Sequence, residues 1–125
     1  MPFHTPRQAA DDSGFSLDTL RYYERIGLLP AIRRTPAGRR TFTDLDLKWL
    51  GLLRCLRDTG MPISEMLQFV RLLRDGDATV PQRIAVLESH QRRVRDRITR
   101  LEHHLGQLDE KLAHYRTGPL WRPEP

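Results

Sequence analysis

The 125-residue sequence predicts an all-α fold with a small β-hairpin wing: a winged helix-turn-helix, a helix pair, and a long C-terminal dimerisation helix. Three observations carry this prediction. Two short, capped helical segments meet at Gly14. A basic stretch without helical periodicity follows them. From Ile84 an apolar 3–4 alternation then runs unbroken to Tyr115.

Thr5-Pro6 opens the first helix, with Thr as N-cap and Pro where its missing N–H costs nothing. Ser13-Gly14 ends it, because glycine takes the left-handed stop conformation readily. Ser16 caps the second helix, whose inner face reads as Leu17, Leu20 and Tyr23 with Tyr22 at its edge, and Gly27 closes it. Two such helices around Gly14 make a helix-turn-helix. Pro30 to Phe42 reads as two strands, near 32–34 and 40–42, around a Pro36-Ala37-Gly38 turn. Thr43 caps a third helix running to about Asp58, with Leu47, Leu50, Leu53 and Leu56 on one face and Leu45, Trp49 and Leu52 nearby. Gly60 ends it and Pro62 opens a fourth, with Ile63, Met66, Leu67, Val70 and Leu73 at helical spacing. Asp75-Gly76-Asp77 breaks that helix.

The last segment has the clearest pattern. Ile84, Gln91, Ile98, Leu105 and Leu112 occupy a positions; Leu87, Val94, Leu101, Leu108 and Tyr115 occupy d positions. This is a coiled-coil seam of about five heptads. A helix over 81–116 would be about 54 Å long at 1.5 Å per residue. So narrow a stripe on so long a helix needs a partner, most simply a second copy. Gln91, the polar core position, fixes register at some cost in stability. The expected organisation is 1–75 for the winged helix-turn-helix with its helix pair, 76–80 for a linker, 81–116 for the dimerisation helix and 117–125 for a short flexible tail.

Composition bounds the function. No apolar run approaches the roughly 18 residues of a membrane helix, and the N-terminus has no signal-like apolar region. A single cysteine cannot make an internal disulfide or a multi-cysteine zinc site. These features point to a soluble, cytoplasmic, nucleoid-associated protein with no membrane partner. The net charge is +5, and Arg33, Arg34, Arg39 and Arg40 lie together with no acid between them. Such a cluster attracts phosphates. There is no G-x-G-x-x-G, P-loop or G-x-S-x-G, so an enzyme is not expected.

Residues 19–30, Thr-Leu-Arg-Tyr-Tyr-Glu-Arg-Ile-Gly-Leu-Leu-Pro, closely resemble the recognition-helix signature of MerR-family transcriptional regulators. The likeness continues through the wing and helix pair to Met66, and in architecture through the terminal coil. It implies a homodimer joined by an antiparallel coiled coil. That dimer would sit on a pseudo-palindromic operator in an overlong promoter spacer, and bend and untwist it for RNA polymerase. On this reading Ser16, Leu17, Asp18 and Thr19 form the end of the recognition helix that meets bases. Arg21 and Tyr22 lie on its exposed face, within reach of phosphates and base edges. Asp18, which repels phosphates, either reads a cytosine amino group or points away. Arg39 and Arg40 clamp the flanking backbone from one wing strand, and Arg33 or Arg34 does so from the other. Tyr23 and Glu24 read as structural, one packed inward and one paired with a nearby arginine. Pro6 and Ala9 replace the larger aliphatic residues usual in the family, and Arg39 stands where an aromatic residue is common.

No cofactor or metal is expected. His4, His90, His103, His104 and His114 include no i,i+3 or i,i+4 pair and read as solvated coil residues. Cys55, in Cys-Leu-Arg-Asp-Thr-Gly-Met (55–61), resembles the lone cysteine of the family's aldehyde- or electrophile-responsive branch. A thiolate attacks such carbonyls. Equally, a cysteine can be a small core hydrophobe, and Asp58 one turn on would repel a thiolate. A cation from a partner's coil, such as Arg92, Arg93, Arg95 or Arg97, would be needed to offset it. Two other classes make distinct predictions: a coiled-coil adaptor would show no DNA sequence preference, and a non-specific architectural DNA binder no preferred half-site spacing.

Overall fold

The computed structural model describes residues 3–29 and 32–118. Helix α1 spans Pro6–Ser13 and begins with a reciprocal cap. The Thr5 hydroxyl accepts the Gln8 N–H at 3.1 Å, while the Gln8 side chain accepts the Thr5 N–H at 2.8 Å. Gly14 ends it at φ 78°, a conformation that strains any residue with a Cβ. Helix α2, Leu17–Ile26, starts on Ser16, whose hydroxyl accepts the Thr19 N–H at 3.0 Å. Leu20 and Tyr23 are buried, and Phe15 meets the Tyr23 ring edge-on at 5.2 Å. Leu17, read as an inner-face residue, is instead 37% exposed. It is the first residue of α2, beyond the reach of the core that Leu20 and Tyr23 close.

The hairpin consists of β2, Arg33–Arg34, and β3, Arg40–Thr43, joined by a turn in which Gly38 takes φ 83°. The sequence reading missed a third strand. Phe3–His4, designated β1, pairs antiparallel with β3 on the side away from β2. Here His4 Nε2 lies 2.7 Å from Asp44 Oδ1, so this histidine is not a solvated coil residue. Phe42 is 1% exposed and anchors the sheet on the helices.

Helix α3, Asp44–Asp58, opens with a second reciprocal cap, between Thr43 and Asp46. Leu50, Leu53 and Leu56 are buried, as the leucine spacing requires. Helix α4, Ile63–Arg74, buries Met66, Phe69 and Val70, whereas Ile63 and Leu73 are 41% and 39% exposed. Periodicity alone had put Ile63 and Leu73 inward and passed over Phe69. The cause of the rotation is aromatic: Phe69 stacks on Trp49 with centroids 6.2 Å apart, and the Trp49 indole N–H donates to the Leu28 carbonyl at 2.8 Å.

The expected linker at 76–80 is itself ordered. Asp77–Thr79 form one 3₁₀ turn, and helix α5 runs from Val80 to Thr117. The described chain falls into two compact units, one closing at Ile84 and the other starting at Ala85. Within the second, His90 is buried at 6% exposure, which overturns its reading as solvated. Every described residue from Arg95 to Gly118 is exposed. These include Ile98, Leu101, Leu105, Leu108, Leu112 and Tyr115, between 44% and 66% exposed. The expected tail lies outside the described residues beyond Gly118.

Candidate nucleic-acid interface

The two caps on the helix-turn-helix fix what α2 presents outward. Gly14 turns the chain between α1 and α2, and Arg54 of α3 clasps that turn. Its Nη1 donates to the Gly14 carbonyl at 2.7 Å, and its Nε lies 2.7 Å from Asp58. With Leu20 and Tyr23 committed to the core, the opposite side of α2 is free. Asp18, Arg21 and Tyr22 are exposed there, and Ser16 and Leu17 at the N-terminal end are exposed as well. Ser16 and Thr19 share a hydroxyl–hydroxyl bond at 2.9 Å in addition to the cap. Asp18 lies 3.5 Å from Arg21 one turn on. The acid on this exposed face is therefore balanced within its own helix. Tyr22 has the Arg25 guanidinium over its ring at 5.4 Å.

The wing carries its four arginines differently. Arg33 and Arg39 are exposed. Arg34 and Arg40 are register partners on β2 and β3, so their side chains share one face of the ribbon. That face turns to α2. Glu24 Oε1 lies 3.0 Å from Arg40 Nη2 and 4.0 Å from Arg34 Nη2, and Arg34 also donates to the Gly38 carbonyl at 3.1 Å. The sequence reading foresaw that Glu24 would find an arginine. It did not foresee that the partner would be Arg40, which it had assigned to the DNA backbone. The spacing could have shown this, because Leu17, Arg21 and Glu24 lie on one helical face and the cross-strand arginines need a counter-charge. Leu17, Arg21, Arg34, Arg39 and Arg40 meet around a cleft of about 290 Å³ between α2 and the wing.

Cys55 is exposed on α3, which argues against a core residue within this unit. Beyond its own helix backbone and chain neighbours, nothing lies within 4 Å of where a Cβ on Gly51 would sit, leaving open space one turn away. Among the described residues no cluster of His, Cys, Asp and Glu could hold a metal ion, and no helix is long and apolar enough to cross a membrane.

Residues 5–73 match the family model for the MerR HTH family regulatory protein, and residues 47–113 match the model for the MerR DNA-binding region. A Haemophilus influenzae protein described as an uncharacterized HTH-type transcriptional regulator is 40% identical over 113 residues, covering 90% of this chain and 84% of that one. Bacillus subtilis HTH-type transcriptional regulator AdhR is 36% identical over 87 residues, 70% of this chain and 62% of AdhR. Among solved structures, HiNmlR, described as a MerR family regulator lacking the sensor domain and bound to promoter DNA, superposes with a TM-score of 0.85. It has 39% identity, over 92% of this chain and 87% of that one. A Listeria monocytogenes protein, described as a putative MerR family transcriptional regulator, gives the same score at 36% identity, over 91% and 86%.

Proposed function

The chain belongs to the MerR family of DNA-binding transcriptional regulators, and from that premise we propose how it engages and remodels its promoter. Two copies pair through the α5 seam in antiparallel fashion and hold two recognition helices at a fixed separation on a pseudo-palindromic operator. Ser16, Leu17, Asp18 and Thr19 face the bases, and Arg21 and Tyr22 reach bases and the adjoining backbone. Arg33, Arg34 and Arg39 grip phosphates from the wing. The observation that carries this reading is the α2–wing cleft, where an exposed helix face and exposed arginines from a separate ribbon form one cationic surface. HiNmlR, similar over most of its length, is described as bound to promoter DNA, which supports the same partner here. The dimer bends and untwists the spacer, a deformation whose energy depends on the sequence deformed, and so realigns the promoter for RNA polymerase.

Site selection from random duplexes by purified protein, at physiological salt, tests this reading. Enrichment of an inverted repeat with fixed half-site spacing is expected. Binding without any enriched site would replace it with the architectural or adaptor alternative.

The signal is assigned to Cys55. Its exposure on α3 supports access to a reactive carbonyl. An aldehyde would add through its carbonyl carbon to sulfur, with the thiol proton ending on oxygen. In a reporter strain Cys55→Ser should keep basal operator binding and lose the aldehyde response. A variant that still responds would remove Cys55 from the pathway.

A further inference from the structure

Arg34 and Arg40 present a pair of like charges directly across β2 and β3, an arrangement that destabilises a ribbon unless something neutralises it. Glu24 supplies the counter-charge from the recognition helix, 3.0 Å from Arg40 and 4.0 Å from Arg34. The Glu24 and Arg40 side chains are each only 23% exposed, whereas Arg34 is 53% exposed. Removing the acid from so sheltered a pair leaves a half-buried cation, which costs more than breaking a surface pair. The Arg40 Nε–H is fully buried and has no hydrogen-bond partner among the described residues, so this side chain is already wedged between wing and helix.

We propose that Glu24 is a positioning residue that withholds Arg40 from the DNA backbone and uses it to lock the wing onto the recognition helix, leaving phosphate contact to the exposed arginines of the wing. The inference rests on the DNA-binding reading above and takes Arg40 out of the backbone role that the sequence suggested for it. It gives Glu24 a measurable electrostatic signature. Each phosphate neutralised by a basic side chain adds about one unit to the slope of log affinity against log salt, negative in sign. With Arg40 held by Glu24, it contributes nothing to that slope. Freed by loss of the acid, it does.

The test is the salt dependence of binding of the full-length protein to a fluorescein-labelled mixed-sequence duplex about three helical turns long, followed by anisotropy. Glu24→Gln, which keeps the size but removes the charge and one acceptor oxygen, should steepen the slope by about one unit. Arg40→Gln should leave the wild-type slope unchanged, and Glu24→Gln/Arg40→Gln should return to it. Arg39→Gln should flatten the slope by about one unit, as a phosphate-contacting control. A flatter slope for Arg40→Gln in the wild-type background would overturn the proposal, since Arg40 would then be on the backbone already. So would a Glu24→Gln protein that binds more weakly at every salt with an unchanged slope, the mark of a merely structural contact. Failure of the DNA-binding reading looks different: the wild-type protein itself would show no salt-dependent binding.

Discussion

The two units of this chain solve the same burial problem in opposite ways. Up to Ile84, short helices of ordinary amphipathicity close on one another. Leu28, Leu50 and Leu53 have no exposure at all, and Phe42 and Met66 have 1% each. From Arg95 onward, a helix with a more regular apolar repeat buries none of it. Regularity of pattern and completeness of burial are thus separable. An irregular set of apolar residues suffices when several elements converge, whereas a regular stripe on a lone helix only specifies the geometry of a partner. The first unit closes its own core, and on the proposed pairing the second is half of an interface.

A charge in the stripe should break the comparison most severely. On the proposed pairing, Leu105→Asp places two unpaired acids in the dimer seam, at a cost on the order of 5 kcal/mol. Sedimentation should report a monomer, and circular dichroism a loss of helical signal, because an isolated helix is marginal in water. A variant that stayed dimeric would show that the stripe is not the seam. Leu53→Ala acts on the other unit. It should lower unfolding free energy by about 3 kcal/mol through a core cavity while leaving the dimer mass intact; loss of the dimer as well would mean that the units do not fail separately. Thr43→Ala removes one arm of the cap on α3 and should cost about 1 kcal/mol in a denaturant titration. The smallest effect is expected at Leu45, which is 72% exposed beside the apolar groove between α3 and α4. Leu45→Ser should stay within about 0.5 kcal/mol of wild type. A larger loss would show that something covers this leucine in solution.

What the sequence revealed and what it hid divide along range of interaction. The caps at Thr5, Ser16 and Thr43 and the stop at Gly14 are local hydrogen bonds and backbone preferences, legible within three or four residues. So is the apolar heptad repeat of α5. Strand β1 is not, because two residues carry no alternation, and their pairing partners lie some forty positions away. The orientation of α4 depends on the Phe69–Trp49 stack, which no spacing rule within α4 contains. At the candidate interface, the residue types of α2 and the wing were readable, but not which arginine Glu24 pairs with. That pairing is fixed by which side of the ribbon faces Glu24.

The turn between α1 and α2 sets a limit on how this chain can vary. A side chain at Gly14 would be strained by its φ of 78°, and its Cβ would stand 2.8 Å from the Arg54 guanidinium. That arginine could swing aside, but only by giving up its hold on the Gly14 carbonyl and on Asp58. Position 14 thus pays two penalties at once, one in backbone strain and one forty residues away. In a saturation library scored for operator binding, tolerance at 14 should collapse to glycine while neighbouring surface positions remain permissive. Substitutions at 54 should become harmful in proportion to how poorly they reach that carbonyl. Two positions far apart in the sequence would then drift together, or not at all.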